Sequence, residues 1–467
     1  MGFEFPIEGR WHINGTSEQA VFGTLTCEKG ERLRLIVKIP QPAVANDRMK
    51  RSFDFLNQFT SKTLVGYDSK NHPITLYGCV SLSASYPEGM TEIRYGVRCA
   101  VTGTEGESWE ALKGQTFCFG YSLLHSWMNR TGIQEIPSAD GIAISAKHTE
   151  SVRADIEPGV ALTLVSVLSK SWNDRRVELS EDSLLKLEFD TPVSVPHVVG
   201  ELAYQLQLLL SLLTGERIAL DWVSFSATTG RFSSLNERFI LADYGRSEVR
   251  RDRSWHDLRS TLADMNGRIG EVVGKWLEMH KDNDMREVLA LYSSLVHHDF
   301  HISAEFIFLA QALEAYHAGC GRFGNSQEPE AEFKARCCRI LTALAKPDAQ
   351  WLKERLAFAN QKTYKARLKE LLDDAPTAIL QIVQDKDAFI SSVANNRNAY
   401  THRYGKISHK KRTPENAVLA RLSHQLLHIF ELLLLRDLGL EDLSGKILNS
   451  YYDWRVAEPE VPDNVSA

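Results

Sequence analysis

Near the C-terminus, Arg397 and His402 stand with four residues between them in the run Arg397-Asn398-Ala399-Tyr400-Thr401-His402. This pair could cleave a phosphodiester. A neutral imidazole can take the proton from a ribose 2′-OH, and a fixed guanidinium can stabilise the charge that builds on the non-bridging oxygens as the 2′-oxygen attacks phosphorus. The products would be a 2′,3′-cyclic phosphate and a 5′-OH, with no metal and no cofactor required. Arg403, Lys406, Lys410, Lys411 and Arg412 follow, and no acid falls between Arg397 and Arg412. A Lys/Arg loop beside such a pair suits phosphate contacts, which position a nucleic acid without reading its sequence. The plainer reading is an arginine capping a helix C-terminus beside a surface histidine. Spacing alone favours that plainer reading.

The elements around the pair sharpen the question. Ile379, Val383, Ile390 and Val393 predict an apolar stripe on a helix over 376–396, and Arg397 continues that stripe. An arginine aimed inward needs a carboxylate, a carbonyl or a bound anion as partner. His402 lies five residues on, about 140° round a continuous helix. The two converge only if the helix ends or tightens between them, or if two copies of the run face each other across a dimer. Glu314, in the helical segment Phe306–His317, is a candidate partner for Arg397 or a group that tunes His402. Glu305 is half a turn out of phase with Glu314, so both cannot face one site.

Length and composition bound the rest. At 467 residues the chain predicts two or three domains, and a net charge of −6 means that nucleic-acid binding must come from a local patch. Seven cysteines without framework spacing point to a reducing compartment. The start shows no signal-peptide pattern, and the longest apolar stretches are too short to cross a bilayer, so a cytoplasmic protein without a membrane partner is expected. Residues 1–195 read as a β-rich domain, a sandwich or distorted barrel, with strand-like runs such as RLRLIVKIP and ITLYGCVSLSASY and a short helix near 123–128. Residues 196–250 read as a linking helix ending at Gly215 and a small β insert. Residues 251–455 read as helical, with helices near 255–279, 284–297, 300–318, 331–345, 348–373, 376–396 and 413–437, the last opened by Thr413-Pro414-Glu415. A disordered tail is expected over 456–467. The fold class is therefore α+β multidomain: a sandwich-like β-rich domain, then an all-α bundle.

With these helices around it, the run of Arg397, Asn398, Tyr400 and His402 resembles the motif of the HEPN superfamily. The segment FIFLAQALEAYH and the β-rich domain before it look like the ApeA-type subgroup of bacterial anti-phage proteins. The resemblance implies a metal-independent ribonuclease on a helical bundle, paired as a homodimer or higher homo-oligomer with both motifs at the interface. It implies activity kept off until infection is sensed, with RNA, often tRNA, as the substrate and a phage-derived protein as a candidate trigger. By the match, Arg397 and His402 carry over as catalytic, Asn398 as the polar residue orienting the site, and Tyr400 as a weaker supporting group.

Other patterns carry less. His297 and His301 are one helical turn apart but lack a ligand set, so no metal site is assigned. Gly319-Cys320-Gly321-Arg322-Phe323-Gly324 follows a helix rather than a strand and reads as a helix stop, not a dinucleotide loop. Two rivals to the nuclease remain: a bundle that binds RNA or a nucleotide without cutting, and an interaction protein whose β domain recognises a foreign polypeptide.

Overall fold

The structure is a computed structural model and describes residues 5–12, 20–27, 33–40, 62–85, 90–138, 141–173, 176–226, 238–242, 253–401 and 416–449. Contacts divide the chain into two compact units, Met1–Gly274 and Lys275–Ala467. A β-rich N-terminal region followed by helices is the architecture expected from the sequence.

The first unit begins with β1 (Ile7–His12), β2 (Ala20–Thr26), β3 (Arg34–Pro40), β4 (Lys62–Asp68), β5 (Pro73–Ser85), β6 (Met90–Gly96) and β7 (Cys99–Thr102). These strands pair antiparallel in the ring β5–β4–β1–β2–β3–β6–β5, a closed six-stranded barrel. Closure removes the exposed strand edges that an open sheet must otherwise protect. Trp11, Leu25, Leu35, Val37, Leu64, Leu76, Ile93 and Tyr95 fill it. The strand β5 serves two neighbours along its length. Ile74–Tyr77 pair with β7, and Val80–Ser85 pair with β6. Gly78, at φ +65, lies between the two stretches, where a Cβ would come within 2.6 Å of the Arg98 Cβ. Glycine holds that backbone conformation without steric cost.

From β7 the sheet runs on as an open antiparallel layer. It is built from β8 (Lys113–Tyr121), β11 (Val152–Glu157), β12 (Val160–Asn173), β13 (Arg176–Ser194), β14 (Leu220–Ser226) and β15 (Arg238–Ala242), in the order β7–β15–β14–β8–β13–β12–β11. A separate hairpin joins β9 (Ile133–Ser138) to β10 (Gly141–Ala146). The short helix expected near 123–128 is α1 (Leu124–Met128). The sandwich-or-barrel alternative thus resolves into a barrel continued by an open sheet.

The segment 196–250 is not a separate linker. Its helix α2 (Ala203–Thr214) is nearly all buried and stops at Gly215 in the left-handed region. Tyr121 Oη donates to the Ala203 carbonyl at 2.7 Å, and Gln207 Nε2 donates to the Ile218 carbonyl at 2.7 Å. The strands β14 and β15 lie inside the large sheet, so this unit runs well past residue 195.

The helices of ten or more residues that follow are α3 (Ile269–Lys281), α4 (Asn283–His297), α5 (Ile302–Gly319), α6 (Glu330–Thr342), α7 (Lys346–Leu356), α8 (Tyr364–Asp373), α9 (Lys386–Thr401) and α10 (Asn416–Asp437), with a single turn at Ile379–Ile382 before α9. Three expected helices are corrected. The helix placed over 255–279 begins only at Ile269, because Asn266 and Gly267 adopt positive φ after two short turns. The helix placed over 348–373 breaks between Leu356 and Tyr364, and the Thr363 hydroxyl accepts from the Ala366 N–H to open α8. The helix placed over 376–396 breaks at Val383, which is extended, and the Asp385 carboxylate accepts from the Ala388 N–H at 2.9 Å to open α9. The start expected at Thr413-Pro414-Glu415 lies outside the described residues.

The helix α10 is long and apolar enough to cross a membrane by length and composition. Its most apolar window has a mean hydropathy of 1.4 and is 67% buried. Leu419, Leu422, Leu426, Ile429, Phe430 and Leu433 are all buried, so it is a core helix of this unit. Its polar Glu431 is buried too, and the Tyr292 hydroxyl of α4 donates to it at 3.2 Å.

Candidate functional site

Phe389, Ile390, Val393 and Ala394 bury one face of α9. Arg397 follows at the next helical turn and extends that face. Its Nη2 donates to Glu314 Oε2 of α5 at 2.7 Å, and its guanidinium carbon lies 5.1 Å from the ring centroid of Tyr364, the first residue of α8. Three helices thus converge on one arginine. The apolar stripe supplies the approach, the carboxylate supplies the charge, and the aromatic face supplies a cation–π contact.

The site is half-open. The Arg397 and Glu314 side chains retain 24% and 32% of their exposure. A guanidinium carries five N–H donors. Among the described residues only Nη2 of Arg397 has a partner, and its Nε is buried without one. Donor capacity therefore remains for an incoming anion. Burial and the nearby Glu314 carboxylate push the Tyr364 phenol well above its usual range, so it stays neutral.

The remaining expected residues divide. Asn398 is exposed and Tyr400 is half-buried. The Thr401 hydroxyl donates back to the Arg397 carbonyl at 3.0 Å, and α9 continues through Thr401, so it does not break between Arg397 and Thr401. His402, Arg403, Lys406, Lys410, Lys411 and Arg412 lie outside the described residues. Glu305 does not join Arg397; it is half-buried elsewhere on α5, and burial raises its carboxyl. His301 caps α5, its Nδ1 accepting from the Ser303 N–H.

Sequence reasoning missed Tyr364, which had been placed in the middle of one long helix. It also missed a second polar cluster one turn along the same two helices. The His317 side chain of α5 is fully buried, and its Nε2 lies 2.7 Å from Glu370 Oε2. Arg367 Nη1 donates to His317 Nδ1 at 3.2 Å and to Asn325 Oδ1 at 2.8 Å. Lys362 Nζ reaches both Glu370 oxygens. The arginine can only donate, so Nδ1 must accept and the imidazole is neutral, with its N–H on Nε2 facing Glu370. The geometry agrees with the direction of the histidine's pKa. Burial lowers it, the hydrogen bond to Glu370 opposes that, and the Arg367 charge adds to it.

A testable consequence follows from the sign of this shift. The histidine binds its proton less readily in the folded chain than in the unfolded one. Its contribution to stability is thus complete above the unfolded value of about 6.5 and is lost as the pH falls through the lower folded value. Urea midpoints should drop between neutral and mildly acid pH, and His317→Gln should flatten that slope. An unchanged slope in the variant would assign the pH sensitivity to other groups.

Two family models match the chain. One, described as ApeA N-terminal domain 1, covers residues 6–276, more than half of the sequence. The other, described as Apea-like HEPN, covers residues 307–443 and so includes Glu314, His317, Tyr364 and Arg397. No curated protein and no solved structure matches.

Proposed function

The chain belongs to the ApeA family of anti-phage defence proteins with a C-terminal HEPN nuclease domain, and on that premise we propose that the helical domain is an RNA endonuclease that works through Arg397 and His402 without a metal ion. The neutral His402 imidazole takes the proton of a ribose 2′-OH. The 2′-oxygen then bonds to the adjacent phosphorus, the P–O5′ bond breaks, and the departing O5′ takes up a proton. The free N–H donors of Arg397 stabilise the charge on the non-bridging oxygens. Asn398 and Tyr400 support the site, and the strip of Arg403, Lys406, Lys410, Lys411 and Arg412 holds the RNA backbone.

The observation that carries this reading is the setting of Arg397. It is fixed by Glu314 and the Tyr364 ring, yet half-open and with donors to spare. In the resting chain Glu314 occupies part of the guanidinium, and a phosphate would compete with that carboxylate. Two copies of the chain pairing through the helical domain would bring two Arg397/His402 sets to one groove. The N-terminal domain keeps the activity off in the cytoplasm until a phage-derived trigger arrives, the outcome being abortive infection.

The products test the chemistry. Purified protein incubated with total tRNA in EDTA should yield fragments ending in 2′,3′-cyclic phosphate and beginning with 5′-OH. Fragments with 5′-phosphate ends, or cleavage that stops in EDTA, would remove the proposed mechanism. A second reading draws on the same ion pair: an arginine already neutralised by Glu314 suits a bundle that binds RNA without cutting it. That reading predicts salt-dependent RNA retention with no cyclic ends.

A further inference from the structure

Packing accounts for the ring of Tyr364 but not for its oxygen. The residue is 8% exposed, and its buried hydroxyl has no hydrogen-bond partner among the described residues. A ring over a guanidinium needs no oxygen, since phenylalanine would give the same cation–π contact and fill the same space. A buried polar group left unpaired costs stability, and native folds leave few of them. Here two meet at one contact, because Arg397 Nε is buried without a partner as well. Glu314 acts on the phenol through its charge, yet its carboxylate accepts from Arg397 Nη2 and not from the phenol.

The phenol is also held in place. The Thr363 hydroxyl caps α8, and Leu368, Leu371 and Leu372 bury one face of that helix. One turn beyond Tyr364, Arg367 donates from Nε to the Lys362 carbonyl at 3.3 Å and from Nη1 to His317 and Asn325. The hydroxyl is thus set before any ligand arrives, as a donor aimed at developing charge must be. What the two unpaired groups lack is an acceptor. The guanidinium can only donate, and burial beside Glu314 keeps the phenol protonated and able to donate. The non-bridging oxygens of one phosphodiester, placed at Arg397, would accept from both.

We propose that Tyr364 is a further catalytic residue of this site, its hydroxyl donating to a non-bridging oxygen of the scissile phosphate beside Arg397 once that phosphate has displaced Glu314. This rests on the nuclease reading of the same site and adds a second donor to its arginine. The tyrosine gives up no proton. Its hydrogen bond strengthens as the 2′-oxygen bonds to phosphorus and charge builds on the non-bridging oxygens, while the proton of the 2′-OH goes to His402.

The test compares the full chain with Tyr364→Phe and Arg397→Ala, first on total tRNA and then on a short RNA carrying the mapped cleavage position. Under single turnover with saturating protein, Tyr364→Phe should cut about ten- to hundred-fold more slowly, the usual worth of a hydrogen bond to a charged group. Its pH–rate profile should keep the wild-type shape, because the phenol donates without titrating. Its urea midpoint should equal or exceed that of wild type, because an unpaired buried polar atom is gone. A lost rate with spared stability separates a substrate contact from a packing role. A single phosphorothioate at the cleavage position then checks the contact itself. Sulfur accepts hydrogen bonds poorly, so on one of the two diastereomers the penalty of Tyr364→Phe should shrink to about three-fold or less, the non-additivity of groups in direct contact. Tyr364→Phe cutting at the wild-type rate while Arg397→Ala is slow would overturn the proposal and leave the nuclease reading intact. So would a lowered urea midpoint, which would show a structural partner for the hydroxyl, or the same penalty on both diastereomers as on unmodified RNA. A wild type that yields no cyclic-phosphate ends would remove the nuclease reading and this contact together.

Discussion

Alanine at position 397 should slow RNA cleavage by about 10²–10³-fold, the usual cost of removing one preorganised donor from a developing oxyanion. The variant should still fold. The Arg397 side chain is 24% exposed, and Glu314, its partner, is exposed enough for water to solvate the released carboxylate. Arg397→Lys should recover only a small part of the rate, because an ammonium is a point charge without the planar fork. His402→Ala should fall by a similar order, about 10²–10⁴-fold. The double variant should be little slower than the worse single, as expected of groups that act in one step. Single-turnover rates on tRNA, read beside thermal melts, check this. If Arg397→Ala cuts at the wild-type rate while remaining folded, the catalytic assignment is wrong. Glu314→Gln helps to separate roles, because it keeps the shape of the site while removing the charge that competes with a phosphate.

The second large effect lies in the barrel. Trp11 is fully buried, its Nε1 donates to the Gly23 carbonyl at 3.2 Å, and it pairs in register with Gly66 of β4. Trp11→Ala should cost about 3–5 kcal/mol, a large part of a typical stability of about 5–15 kcal/mol. Gly66→Ala should be at least as damaging, because its Cβ would lie 2.2 Å from Trp11 Cε3 and the indole has no room to retreat. In the Trp11→Ala background the same glycine change should cost far less, since the clashing ring is gone. That non-additivity is the signature of a direct contact. Urea unfolding of the four proteins measures it, and simple additivity would contradict this account of the core.

Much of this was legible in the residues. Strands such as β3 and β5 announced themselves by β-branched content and turn formers at their ends. By contrast β8, KGQTFCFGY, is buried along most of its length, so no alternation marks it in the sequence. Closure of the barrel was hidden for a different reason. It depends on β5 changing partners beyond Gly78, a tertiary event with no local periodicity. At the site, the inward aim of Arg397 and the availability of Glu314 followed from helical phase, and the structure joins the two. Tyr364 did not follow, because the break that makes it the first residue of α8 interrupts a sequence with good helix formers on both sides. The helices α6 and α7 were legible in the sequence, but only three-dimensional packing shows that neither contains a buried residue.

The double membership of β5 bears on how the N-terminal unit can be dissected. Trimming the chain after β7 would strip the open layer from the barrel and leave β7 with an unsatisfied row of amides and carbonyls. Trimming before β7 would bare the first half of β5 as well. Fragments made this way should precipitate rather than report on the intact unit, so residues that sense a signal there are better sought by point changes than by deletion.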